Sequence, residues 1–334
     1  MKSIRIYFLV ILLCGCENIL IDEEQERSQL NNFELYWNDF DRNYAAFEVR
    51  NIDWDLVYIA SVTKINSGLS DEEFFDLMSE VTLNFRDIHV DLFRTEERVV
   101  YNSTNPNSSN GLRSLRRYHN GLQNENGVVR YSTIRAENIG YIYIPTFSTS
   151  LNPLDFEIID EALDQLKDTD GLILDVRNNE GGNLANQKVV ASRFVDNSFI
   201  YFRNRTRNGP EHNDFGEPFE DRISPDGPFQ YLKPVILLTN RKTASAAESF
   251  AMTLRKMNNV TIVGDTTAAG LGINLRRELP NGWSYRMTTG LVFDCDNVTF
   301  EGTGVPPDEV VFISKQDSTT RQDSQLLKAL ELLN

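Results

Sequence analysis

Two periodicities predict an α/β protein, in which a layer of parallel strands follows a small three-helix bundle. Apolar residues recur at spacings of three and four between position 29 and about position 85. From position 139 the pattern changes, and short apolar runs alternate with amphipathic stretches. With 40% of 334 residues hydrophobic and 25% charged, the chain has enough apolar surface to bury such a layer.

In the amino-terminal part, Leu30, Phe33, Trp37, Phe40 and Tyr44 form one apolar stripe. Asp53 is placed to cap a second helix carrying Leu56, Ile59 and Val62. Ser70-Asp71-Glu72-Glu73 reads as a capping box for a third, flanked by Leu69 and Phe74 as a hydrophobic staple. Residues 101–127 are rich in Asn, Ser and Gly and read as a long exposed excursion. Strands are then expected at 139–144, 171–176, 235–238 and 260–263, with helices at 153–166, 184–194 and 246–257. Asn281-Gly282 turns a hairpin between 275–279 and 283–288, and 326–333 closes the chain as a helix.

The first 16 residues read as a leader. Lys2 and Arg5 precede an apolar stretch at 7–13, too short to span a bilayer as a helix. Leu13-Cys14-Gly15-Cys16 resembles a bacterial lipobox, which makes Cys16 the expected lipidation site. The expected organisation is therefore leader 1–16, acidic tether 17–28, helical bundle 29–98 and α/β domain 99–334. The whole chain carries 33 basic and 49 acidic residues, net −16. Loss of residues 1–15 would leave 31 against 49, or −18. A chain this acidic is repelled by nucleic acid and by anionic lipid, so any membrane attachment is expected through acyl chains alone. After processing only Cys295 remains as a free thiol, and no Cys/His cluster has metal-ligand spacing. Neither metal nor cofactor is expected.

Three segments carry the chemistry. In 234–250, PVILLTNRKTASAAESF, an apolar strand runs through a polar turn into a helix that opens at Ser245. Backbone N–H groups and the helix dipole at such a junction favour a developing oxyanion, although Ser245 or Ser249 taken alone reads equally as a cap. In 171–182, GLILDVRNNEGG, a strand ends at Gly181 and Gly182, whose backbone is able to approach a ligand closely. In 300–308, FEGTGVPPD, Glu301 sits between a strand end and a stiff Gly/Pro loop. Of the three histidines, His119 and His212 lie in polar stretches and read as solvated. His89, in LNFRDIHVDL, lies between apolar residues.

With that histidine segment, DVRNNEGG, TASAAE, GDTTAAGLG and EGTGVPPD resemble peptidase family S41, the tail-specific or carboxy-terminal processing proteases, over roughly residues 30–315. The resemblance implies an α/β core of the crotonase or ClpP type, serine hydrolysis of peptide or protein substrates, and secretion to the cell envelope. Family members with a Ser–Lys dyad carry lysine where this chain has Leu271, and leucine takes no proton. The remaining branch resembles the core of tricorn protease. It implies Ser245 as nucleophile, His89 as base, Glu301 as the carboxylate orienting it, and the amides of Gly182 (or Gly181) and Ala246 as the oxyanion hole. That branch has a serine where Ile88 stands here. The excursion at 101–127 is too short for the PDZ domain of larger relatives, so none is expected. Activity would fall as His89 protonates, near pH 6.5 for an unshifted imidazole. The competing expectation is a non-catalytic protein that binds peptide or another apolar ligand in the same cleft.

Overall fold

The computed structural model describes residues 28–103 and 117–334. The leader with Cys16, nearly all of the tether and positions 104–116 lie outside the described residues. In chain order the helices and strands are α1 (Gln29–Asn43), α2 (Phe47–Arg50), α3 (Trp54–Ile65), α4 (Asp71–Asn84), β1 (Asp91–Arg94), β2 (Glu97–Val100), β3 (Arg130–Thr133) and β4 (Ile139–Tyr143). Next come α5 (Ile158–Leu166), β5 (Gly171–Asp175), α6 (Leu184–Ala191), β6 (Phe199–Thr206), β7 (Phe219–Ile223), β8 (Val235–Thr239), α7 (Ala246–Leu254) and β9 (Val260–Gly264). The chain ends with β10 (Ile273–Glu278), β11 (Ser284–Phe293), β12 (Glu309–Val310), α8 (Lys315–Thr320) and α9 (Ser324–Leu333).

One sheet has the order β12-β9-β8-β5-β4-β3 and is parallel except for β3 on β4. Its central strands β4, β5 and β8 are buried along their whole length, as expected of strands covered on both faces. The expected caps are made: the Asp53 side chain accepts from Leu56 N, and Ser70 and Glu73 form a reciprocal capping box.

A second sheet is antiparallel, with the order β2-β1-β11-β6-β7 and β10 also pairing with β11. Its strands mix buried and exposed residues, so apart from the Asn281-Gly282 hairpin they gave no continuous apolar run to read. The amino-terminal helices close on this sheet. Phe33, Phe40, Trp54 and Phe85 share one core with Leu279, Tyr285 and Met287 of the hairpin.

The carboxyl end of the chain is fastened to the parallel sheet by Arg177, which is 2% exposed. Its guanidinium donates to both oxygens of Asp175 (2.9 and 2.6 Å for the nearest bonds), to Asp323 Oδ1 (2.9 Å) and to Gln325 Oε1 (3.0 Å). Replacing Arg177 by Ala would leave two buried carboxylates without their cation. An expected loss of about 3–5 kcal/mol is measurable by denaturant unfolding.

Candidate active site

Three neighbouring parallel strands, β9, β8 and β5, end on the same side of the sheet, where open parallel sheets usually take ligands. The loops that leave them, 265–272, 240–245 and 176–183, are bonded to one another. Thr239 Oγ1 donates to Asp265 O (2.9 Å), Thr243 Oγ1 to Val176 O (3.0 Å), and Ala244 N to Asn179 O (3.0 Å). Asn178 and Asn240 join through two further bonds, from Asn178 N to Asn240 Oδ1 (3.1 Å) and from Asn240 Nδ2 to Asn178 Oδ1 (2.9 Å).

Ser245 stands where the β8 loop enters α7. Its backbone has φ 54° and ψ −121°, a conformation that costs a non-glycine residue on the order of 1–3 kcal/mol and persists only when its surroundings enforce it. The enforcement is visible. Ser245 N donates to Gly270 O (3.1 Å) and to Glu248 Oε2 (3.1 Å), one turn along the same helix.

The paired glycines pack directly on this turn. A Cβ on Gly181 would lie 2.4 Å from Ala244 O and 2.8 Å from Ser245 Cβ; one on Gly182 would lie 2.0 Å from Phe147 O. Only a residue without a side chain fits either place. Their two amides have different fates. Gly181 N donates to Asn179 Oδ1 (2.9 Å) and is spent, whereas the amides of Gly182 and Ala246 have no acceptor among the described residues. The expected alternative between Gly181 and Gly182 therefore narrows to Gly182 as the amide left to meet a ligand.

His89 and Ser245, 156 positions apart in sequence, line the same cavity, of about 840 Å³. The His89 side chain is buried, and its Nδ1 has no hydrogen-bond partner. Asp87 Oδ1 fixes the His89 backbone by accepting from its N–H (2.8 Å). Burial pushes the imidazole down to about 4; the Asp87 carboxylate opposes this, and the Arg286 and Arg50 guanidiniums add to it. The unshifted value of 6.5 is thus corrected downwards: this histidine is neutral across the physiological range.

Glu301 is buried but does not bond to the His89 ring. Its Oε2 accepts from Leu271 N (2.9 Å) and Gly272 N (2.7 Å), and its Oε1 pairs with Arg50. Gly272 touches both partners, since its backbone also lies near the His89 ring and favours the protonated imidazole. Arg50 in turn lies 3.5 Å from Asp87, which also receives Tyr44 OH (3.1 Å) and Thr288 Oγ1 (2.8 Å). Burial opposes ionisation of Asp87, yet Arg50 and its other partners hold it below the usual carboxylate range.

Glu248, visible in TASAAE but not singled out from the sequence, is the busiest acceptor here. It takes Thr267 Oγ1 (2.6 Å), Ala269 N (2.9 Å), Gly270 N (2.9 Å) and Ser245 N (3.1 Å). Burial pushes it up to about 7 against the Thr267 bond. Three other expectations, at Leu271, His119 and His212, meet a definite outcome. Leu271 is buried and walls a smaller cavity beside Ser245. His119 is buried under Tyr141, and His212 is stacked 4.0 Å from Phe47 and bonded to Asp41 (2.9 Å). Both histidines were expected in solvent; their partners come from distant segments.

The profile of peptidase family S41 matches residues 138–311, just over half of the chain and all three loops. The chain belongs to this family. A solved structure from Parabacteroides merdae, described as a peptidase, is 30% identical with TM-score 0.84, and the match covers 92% of this chain and 97% of that one. A carboxyl-terminal-processing protease from Synechocystis is 30% identical over 203 residues, 59% of this chain and 44% of that protein. The chain thus spans less than half of that curated relative. The tricorn protease shares the fold at TM-score 0.57 and 14% identity, over 92% of this chain and 36% of its own.

Two outcomes test this S41 site as a structure. Gly181→Ala is expected to cost about 1–3 kcal/mol in denaturant unfolding, because its φ of 86° and its neighbours leave no room for Cβ. Glu248 is raised to about 7 from its ordinary 4.5, so the stability it contributes below 4.5 is lost as pH rises through about 7. Thermal unfolding of Glu248→Gln, compared with the parent from pH 4 to 8, should lack that loss.

Proposed function

We propose that this S41 chain is a serine peptidase that cleaves peptide bonds through an acyl-enzyme. Ser245 attacks the scissile carbonyl, His89 takes the Ser245 proton and returns it to the leaving amine, and water then releases the acyl group. The amides of Gly182 and Ala246 receive the oxyanion. Glu301 sets the histidine's position, in the described conformation by way of Gly272 rather than by a direct bond. The observation that carries the reading is the strained Ser245 turn. It lies against two unclaimed amides and opens on a cavity that also holds a neutral, buried imidazole.

A lipid anchor at Cys16 and residence at the bacterial cell envelope complete the proposal, on the strength of the leader and lipobox. No helix among the described residues is long and apolar enough to cross a membrane.

A second reading is that the cleft binds peptides without cleaving them. It is favoured by one observation: Glu301 is fully engaged by Arg50 and two amides, while His89 Nδ1 has no partner. Digestion of an unstructured protein separates the two. Ser245→Ala and His89→Ala are each expected to lower kcat/KM by at least about 10³, the scale of losing a triad member. Equal cleavage by all three proteins would reject the hydrolytic reading. The pH profile adds an independent check. A base that must be neutral, and whose value is about 4, keeps kcat/KM level well below 6.5 and lets it fall only towards about pH 4.

A further inference from the structure

Two cavities meet at Ser245, and they differ in chemistry. Both are lined by Thr149, Gly182, Ser245 and Asn274. The smaller, of about 310 Å³, is walled by Leu184, Phe202, Leu271 and Ile273. Leu271 stands where dyad members would carry lysine, so the absence of that base leaves an apolar wall beside the nucleophile.

The larger cavity is basic in a chain whose net charge is −16. Among its described lining residues Arg98, Arg241, Lys242 and Arg286 carry positive charge, and Glu180 is the one carboxylate. Behind them the buried Asp91 is shared by Arg98 (2.9 Å) and Arg286 (2.8 Å), and Asp265 lies 3.7 Å from Arg241. Four cations thus face three carboxylates, with His89 neutral. Lys242, half-buried three residues before Ser245, has no ion-pair partner among the described residues. Arg241 also lines a neighbouring cavity of about 480 Å³, where Arg50 and Arg86 join it and no described lining residue is acidic. Arg50 is already balanced by Glu301 and Asp87, so the positive charge open to a ligand lies in the larger cavity around Lys242 and Arg241, in a cleft whose walls lower the local dielectric and strengthen attraction for an anion.

We propose that the preferred substrate is a peptide with an apolar side chain on one side of the scissile bond and a carboxylate on the other, the carboxylate being held by Lys242 and Arg241. This rests on the reading of Ser245 as the nucleophile that sits between the two cavities. The carboxylate is either the peptide's own carboxyl terminus or an acidic side chain.

The test uses peptides alike in length and apolar residue, in two pairs: free terminal carboxylate against carboxamide, and internal Glu against Gln. Cleavage is followed with the full chain by mass spectrometry, and binding by fluorescence anisotropy with Ser245→Ala, which keeps both cavities. The carboxylate member of at least one pair should be cleaved and bound roughly tenfold better at low salt, an advantage that shrinks as salt rises. The pair that responds identifies the source of the carboxylate. Lys242→Gln should reduce the advantage severalfold, and Lys242→Glu should abolish or reverse it. Its side chain has no ion pair to lose, so folding should be unaffected. Equal binding of both members in both pairs would overturn the proposal, as would an advantage unchanged in Lys242→Gln and in Arg241→Gln. Should Ser245→Ala bind carboxylate peptides through Lys242 while the parent cleaves none, recognition stands and the hydrolytic reading fails.

Discussion

Four consecutive amides, from Ala269 to Gly272, point at two buried carboxylates, and the position of Ser245 depends on that arrangement. Each side needs the other. A buried amide without an acceptor costs about 1–3 kcal/mol, and a buried carboxylate without donors costs more. Because Glu248 belongs to the first turn of α7, the helix that fixes the loop is also the helix that begins at Ser245. The loop answers through Gly270 O, which accepts from Ser245 N. Displacing the loop would therefore release both restraints on the strained serine backbone at once.

The second carboxylate draws the amino-terminal helices into the same arrangement. Arg50, at the end of the four-residue helix α2, pairs with Glu301 and reaches Ala269 O (2.7 Å) and Arg86 O (2.6 Å). Asp87 shares the single charge of Arg50 with Glu301 and fixes the backbone of His89. The helices are thus built into the site. Their aromatic core continues into the β10–β11 hairpin, so packing that secures the helices also secures the histidine against the sheet.

Local chemistry was legible in the sequence, and distant chemistry was not. Buried strands such as β5 and β8 announced themselves as unbroken apolar runs, and the caps at Asp53 and Ser70 act within three residues. Serine, histidine and the glycine pair could be named from motifs, and the structure brings His89, Ser245 and Gly182 to one cavity. What escaped notice is satisfied across long separations. Glu248 finds its acceptor role 19 to 22 residues away, and Arg50 meets Glu301 251 residues away. His119 and His212 misled for the same reason: polar neighbours in sequence gave no warning of Tyr141 and Phe47 in space.

Leu271 serves the site through both its backbone and its side chain. Its N–H is committed to Glu301 and its side chain is buried, so the loop completes an apolar pocket beside Ser245. Across the cavity His89 is neutral, and burial and the Arg286 and Arg50 guanidiniums weaken it as a proton acceptor. A base with a value near 4 is always available at neutral pH, yet it is a poor proton acceptor for a serine hydroxyl. A carboxylate held by Lys242 and Arg241 in the cavity that Arg286 also lines would offset part of the cationic field that disfavours the imidazolium, so recognition and the strength of that imidazole would be linked through the field rather than through shared contacts.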